Sequence, residues 1–185
     1  MFSDFKIRRS HVKLWNEIID LLKTICETVV IVIVVFTFVA RTAVVNGSSM
    51  EPTLMHGDLI LIWSLGYKPK QGDIIACSSD GLKKVIIKRV IAIGGQLVDI
   101  DFSAGKVYVD GIEYLVPGID NHTTDPESRL TYPLKVPEGK YFVMGDNRQH
   151  STDSRSSAVG FVDRNDILGR ALIRLLPVNR AGKLK

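Results

Sequence analysis

Two cysteines in 185 residues allow at most one disulfide, so this is no disulfide scaffold. No C-x-x-C pair and no His/Cys cluster offers zinc a site, and no metal is expected. The excess of basic over acidic groups is small: a formal net charge of +4 does not argue for a nucleic-acid partner. Low-complexity tracts and internal repeats are missing. Apolar residues make up 45% and charged residues 24%, which excludes wholesale disorder and collagen-like structure. Past Val45 no amphipathic helix of three turns can be traced. The length suits one domain of roughly 100–200 residues with a small appendage.

Charge is also missing from one stretch. Residues 28–40 read TVVIVIVVFTFVA, with no charged side chain. Allowing Arg41 extends the run to Val45; allowing Lys23 and Glu27 instead extends it back to Leu21. A bilayer core of ~30 Å needs roughly 20 helical residues, and long side chains at the ends can snorkel. Taken alone, the uncharged core would equally suit a buried strand or core helix. We read a transmembrane helix within 21–45. Lys6, Arg8, Arg9, Lys13 and Lys23 precede it, which keeps the N-terminus in the cytosol and places the rest outside. The small-x-small pattern of a cleavable signal peptide is poorly matched at residues 39–43, so the segment reads as an uncleaved anchor. Cys26 and Cys77 then fall in different places and could not easily pair. Cys77 follows Ile74-Ile75-Ala76 and reads as a packed strand residue.

Short β-rich runs recur after the anchor, at 59–63, 74–77, 85–93, 97–100, 107–109, 141–143 and 167–176. Asp80-Gly81 and Asp110-Gly111 look like hairpin turns. Between Val116 and Tyr141, Pro117, Pro126, Pro133 and Pro137 predict an irregular loop or edge extension. The fold class is mainly β: an antiparallel β sandwich or partly closed barrel with one N-terminal transmembrane helix.

Three segments can carry chemistry. Asn46-Gly47-Ser48-Ser49-Met50-Glu51-Pro52 is a Gly-led turn that can present a serine hydroxyl and backbone N–H groups; Pro52 favours an extended Glu51. Ser49 lies nine residues past Ala40, no more than ~30 Å from the end of the apolar run. The second segment, 83–93, puts Lys88 on one face of an apolar strand and Arg89 on the other. Burial lowers a lysine pKa, whereas arginine stays charged, so Lys88 suits a general base. An edge strand with both cations in water is the other reading, and the run alone does not choose. The third, Gly145-Asp146-Asn147-Arg148-Gln149-His150-Ser151-Thr152-Asp153-Ser154-Arg155, suits either a solvated loop or a hydrogen-bonded network beside a site. Arg148 and Arg155 each have a carboxylate near in sequence to pair with.

Together the three segments resemble the bacterial type I signal peptidases, membrane-anchored serine proteases with a Ser/Lys dyad. GSSMEPTL resembles the family's nucleophile box, IKRVIAIGG its lysine box and GDNRQHSTDSR its last box; GFVDRNDILGRA continues the match. The resemblance runs from residue 44 to residue 177 with the boxes in order, and the single anchor is similar to the compact forms. It implies Ser49 as nucleophile and Lys88 as general base. It also implies Ser151 orienting the amine, Asp153 and Arg155 holding the loop, and Met50 lining a shallow apolar pocket. The implied reaction passes through an acyl-enzyme, with no cofactor. The implied substrates are exported preproteins with small residues at the first and third positions before the cut, bound as an added strand. The implied setting is the bacterial plasma membrane, single-pass, in contact with the lipid bilayer and near the secretion machinery. The domains then read 1–20 cytoplasmic basic tail, 21–45 signal anchor and 46–185 extracytoplasmic β-rich peptidase domain.

Two positions depart from the family pattern. Gly47 stands where some members carry a serine that helps form the oxyanion hole. Gly94-Gly95-Gln96 stands where the lysine box often ends in Pro-Gly-Asp or Pro-Gly-Glu. The competing classes are a non-catalytic membrane-anchored β module that binds exported chains, a Ser/Lys self-cleaving regulator and a Cys77-based transpeptidase. His56, His122 and His150 are the candidates for a histidine base.

Overall fold

The structure is a computed structural model that describes residues 2–125 and 130–184. Pro126 lies outside the described residues. The chain divides into two compact units, Met1–Val39 and Ala40–Lys185.

The first unit is one helix, α1 (Phe2–Phe38). Six consecutive side chains, from Val29 to Val34, are each about half exposed. At 100° per residue they point in all directions, so the helix is apolar all round there. Among the described residues no helix is long and apolar enough to cross a membrane. The uncharged part inside α1, residues 28–38, rises only about 16 Å. The rest of the apolar run leaves the helix at Val39 and enters a sheet.

The second unit holds two antiparallel sheets. The larger takes β1 (Ala40–Val44), β2 (Leu59–Trp63), β3 (Ile74–Ser79), β4 (Lys84–Ile93), β9 (Lys140–Met144), β10 (Val162–Asp163), β11 (Ile167–Leu176) and β12 (Gly182–Lys183). Its order is β1-β2-β11-β3-β4-β9-β10, with β12 on β11. The smaller takes β5 (Leu97–Asp101), β6 (Lys106–Val109), β7 (Ile112–Glu113) and β8 (Leu134–Lys135), in the order β7-β6-β5-β8. Neither sheet is a closed barrel: no pairing among the described residues joins β1 to β10. Among its described residues the proline-rich segment supplies the short edge strand β8, in keeping with its missing N–H donors.

Side-chain alternation assigns the core. Along β3, Ile74 and Ala76 face one apolar cluster with Met50, Leu54, Ile60 and Ile62, while Ile75 and Cys77 face another with Ile86, Val90 and Val143. A third cluster, including Ile91, Phe142, Val98 and Val107, joins the two sheets. Asp110 and Gly111 have φ of 52° and 80°, the pair of left-handed residues that a two-residue hairpin turn demands. The Asp80-Gly81 turn differs. There the left-handed residue is Lys83 (φ 50°), and Gly81 is small because a Cβ would overlap the Ala158 carbonyl.

Candidate active site

β1 leads into the turn that holds Ser49. Gly47 has φ +108°, a region L side chains avoid, and its N–H donates to His56 Nδ1 at 3.2 Å. The Glu51 N–H donates to the Ser48 carbonyl and the Leu54 N–H to the Met50 carbonyl, so residues 48–54 wind tightly. The Glu51–Pro52 bond is cis, and Glu51 lies in this turn rather than in an extended segment. Met50 and Leu54 are buried and pin the turn to the core. Two contacts come from the polar loop: the Asn147 N–H donates to the Ser49 carbonyl (3.1 Å) and Asn147 Nδ2 to the Ser48 carbonyl (3.2 Å).

β4 carries both cations into the protein, each only 3% exposed. They are handled differently. Arg89 donates through Nε and Nη2 to the two oxygens of Asp146, at 2.8 and 2.7 Å, and through Nη1 to the Gly72 carbonyl. Asp146 also accepts from the Thr53 hydroxyl. Lys88 lies beside Ile75 in the β3–β4 register, and its Nζ is hydrogen-bonded to Ser49 Oγ at 2.6 Å. Burial pushes the Lys88 pKa below the ordinary lysine value, with the Asp153 carboxylate opposing and the Lys84 charge adding to the fall. A neutral amine against a serine hydroxyl can take up its proton.

The loop 145–155 is a built network rather than a solvated surface. Gly145 approaches so closely that a Cβ would overlap both Ser151 Oγ and the Ser49 carbonyl. Its N–H donates to Asp153 Oδ2 at 2.9 Å. Asp153 in turn takes Arg155 Nε and Nη2, both at 2.9 Å, and both residues are fully buried. Arg155 Nη1 donates to the carbonyls of Arg148 and Thr124. Ser151 Oγ is buried against Gly145 and makes no hydrogen bond among the described residues. Among the described residues Arg148 makes no ion pair with a carboxylate, Asp146 being taken by Arg89; its Nη1 donates to Thr123 Oγ1.

Ser49 and Lys88 sit in a cleft of about 550 Å³. One wall is the end of β1, which among the described residues pairs only with β2. The opposite wall is β4 from Lys84 to Lys88, where β3 covers one edge and β9 pairs from Arg89 onward, so that among the described residues no strand pairs with the other edge. Ala43, Met50, Ala76 and Ile87 line it with small or apolar surface. Gly47, His150 and Thr152 also border it. His150 is exposed and, like His56 and His122, makes no hydrogen bond to Ser49 among the described residues. Cys77 is fully buried, and burial pushes its thiol pKa up to about 12, which fits a packed strand residue. Sequence reasoning missed Asn147, Thr53 and Arg89 as holders of the Ser49 turn. The signal available was Arg89, a second cation on an apolar strand that had to find a carboxylate.

The signal peptidase family, peptidase S26, matches residues 18–176. A probable signal peptidase I-2 of Synechocystis is 38% identical over 178 residues, covering 91% of this chain and 78% of that protein. A signal peptidase I of Bacillus licheniformis is 32% identical over 177 residues, covering 91% and 94%. A crystal structure of a signal peptidase I from Enterococcus faecalis aligns at 32% identity and a TM-score of 0.46, covering 56% of this chain and 97% of that one.

Proposed function

The chain belongs to the signal peptidase family, peptidase S26, and from that premise we propose how its cleft performs the reaction. As a signal peptidase it is a serine protease that removes signal peptides from exported preproteins. In our reading Ser49 is the nucleophile and neutral Lys88 the general base. The Ser49 hydroxyl donates to the amine, gives up its proton as Oγ attacks the scissile carbonyl, and the carbon–nitrogen bond breaks to leave an acyl-enzyme. The new amino terminus departs with the proton from Lys88. Lys88 then deprotonates a water that releases the signal peptide. The developing oxyanion is received by the Ser49 N–H, which makes no hydrogen bond among the described residues. Asp153 and Arg155 position the loop behind the pair.

The cleft accounts for small-x-small selection. A substrate strand between the free edges of β1 and β4 turns alternate side chains to the same side. Its first and third residues before the cut then meet Ala43, Met50, Ala76 and Ile87, where a large side chain overlaps.

The membrane setting is also our reading. Family members are typically membrane-associated, and α1 is apolar all round between Val29 and Val34. Residues 21–38 rise about 27 Å, near the ~30 Å of a bilayer core, with Lys23 snorkelling to the cytosolic face. The basic residues before them keep the N-terminus cytoplasmic and the sheet unit outside.

The observation that carries the reading is the 2.6 Å contact between Ser49 Oγ and the buried Lys88 Nζ. The test is cleavage of a preprotein by the full-length chain in detergent or lipid, beside Ser49→Ala and Lys88→Ala. Cutting after a small-x-small site, abolished in both variants, is expected. Cutting that survives Ser49→Ala refutes the nucleophile. Binding without cutting by the parent chain returns the reading to a non-catalytic module.

A further inference from the structure

The cleft has an electrostatic character that small-x-small selection does not use. Its described lining residues include no carboxylate. Three of them can carry positive charge: Lys84, Lys88 and His150. Lys88 is buried and serves as a neutral base in the reading above, Arg89 is paired with Asp146, and His150 stands on the loop after β9 rather than on β4. Lys84 is therefore the exposed cation that β4 itself presents in the lining. It is exposed and makes no ion pair among the described residues. It opens β4 on the same face as Lys88, four residues earlier and about 13 Å along the strand. A substrate strand whose scissile bond lies at Lys88 and whose preceding residues run along β4 brings its fourth to sixth residues before the cut level with Lys84.

We propose that Lys84 is a specificity-determining residue that reads charge in the signal peptide four to six residues before the cut, favouring Asp or Glu and disfavouring Lys or Arg. The inference rests on the peptidase reading. Lys84 touches substrate outside the reacting atoms, so its effect falls mainly on KM. Its charge also bears on the base: Lys84 helps hold the Lys88 pKa down. Reversing that charge therefore raises the Lys88 pKa and moves the acidic limb of the rate profile to higher pH, an effect that a merely structural role would not produce.

The experiment uses the full-length chain in detergent and one preprotein carrying Glu, Ala or Lys at each of those three positions. The readout is the ratio of kcat/KM for the Glu form to that for the Lys form, taken within each enzyme variant so that changes in folding cancel. The parent should favour Glu by about threefold to tenfold at low salt at one of the positions, and the ratio should shrink as salt screens the pair. Lys84→Ala should bring the ratio near one, and Lys84→Glu should invert it. Lys83→Glu makes the same change in net charge at a neighbour outside the cleft lining and should keep the parent's ratio. A parent ratio of one at all three positions overturns the inference while leaving the peptidase reading intact. So does a parent-like ratio in Lys84→Glu. Failure of the parent to cut even the Ala form refutes the peptidase reading and this inference with it.

Discussion

Replacing Lys88 with Met tests the neutrality of the amine through stability rather than rate. Lys88 is 3% exposed, and among the described residues its Nζ has one hydrogen-bond partner, the Ser49 hydroxyl. Its stem shares a strand face with Ile86 and Val90, and Met offers a stem of similar length without the charge. Burial lowers the folded-state pKa of Lys88 below the ordinary lysine value near 10.4, so near neutral pH the unfolded chain binds a proton that the folded chain holds less firmly. Where the unfolded state binds more protons, stability rises with pH. That rise spans the window from the lowered folded value up to about 10.4, and below it the folded protein bears the full cost of burying the ammonium. Met bears none of it. Lys88→Met should therefore abolish cutting and still be more stable at neutral pH, by about 1–3 kcal/mol, on the scale seen when buried charges give way to apolar side chains. For a body of this size that is roughly 3–10 °C in Tm. The gain should fade as pH approaches about 10.5, where the amine is neutral in both states. Calorimetry of parent and variant in one detergent from about pH 6 to about pH 10.5 reads the difference. A gain that does not change with pH refutes the burial argument. A parent more stable than the variant at neutral pH means a charged amine compensated by Asp153, and the general-base role falls with it.

Asp153→Asn leaves the fully buried Arg155 without its carboxylate and should cost about 3–5 kcal/mol in thermal unfolding. It also removes the charge that holds the Lys88 pKa up, so the acidic limb of the rate profile should move to lower pH; a move to higher pH contradicts the electrostatic account. Gly145→Ala drives a Cβ into Ser151 Oγ and the Ser49 carbonyl, and a displacement of the nucleophile turn by about 1 Å should lower kcat on the order of 100-fold; kcat within threefold of the parent would show that the turn does not depend on that contact. With Cys26 changed to Ser, Cys77 should resist alkylation near pH 8 in the folded chain and react fully in denaturant, because its thiol is buried with a pKa of about 12; equal labelling in both states would refute the burial.

Most of the sheet is legible in the sequence because its strands are bounded by turns and their apolar residues alternate. β2 and β11 end where the β-rich runs end, and Asp110-Gly111 makes the turn its residue types demand. β1 is hidden for a physical reason: Ala40–Val44 continues an apolar run with no turn residue at the junction, and its pairing with β2 decides where the helix stops. The sequence favours Lys88 over Arg89 as a base but leaves open whether the cations of this apolar strand are buried or turned to water. Asp146, 57 residues away, closes it by taking Arg89 in a bidentate pair and leaving Lys88 to Ser49. The same long-range pair is why Arg148 lacks the carboxylate its near neighbour in sequence would supply. Sequence proximity ranks partners in a loop poorly when a buried guanidinium from elsewhere competes for the acid.

Gly47 looks at first like a lost catalytic group, since a serine there in some family members supplies an oxyanion donor. The geometry gives it another meaning. At φ +108° an L side chain is strained by about 1–3 kcal/mol, and no atom lies within 4 Å of where a Cβ would stand, so glycine is required by the backbone rather than by crowding. The same conformation commits its N–H to His56 and cannot lend it to a substrate. The turn is instead fixed from outside, by Asn147 on the carbonyls of Ser48 and Ser49, and among the described residues the Ser49 N–H makes no hydrogen bond. One oxyanion donor is worth about 2.7–4 kcal/mol when it is rigidly aimed. In the mechanism proposed above the Ser49 N–H is that donor; a main-chain donor needs no side-chain ordering to be aimed, so the proposed site depends on the rigidity of the Asn147 clamp where the serine-bearing pattern depends on a hydroxyl rotor.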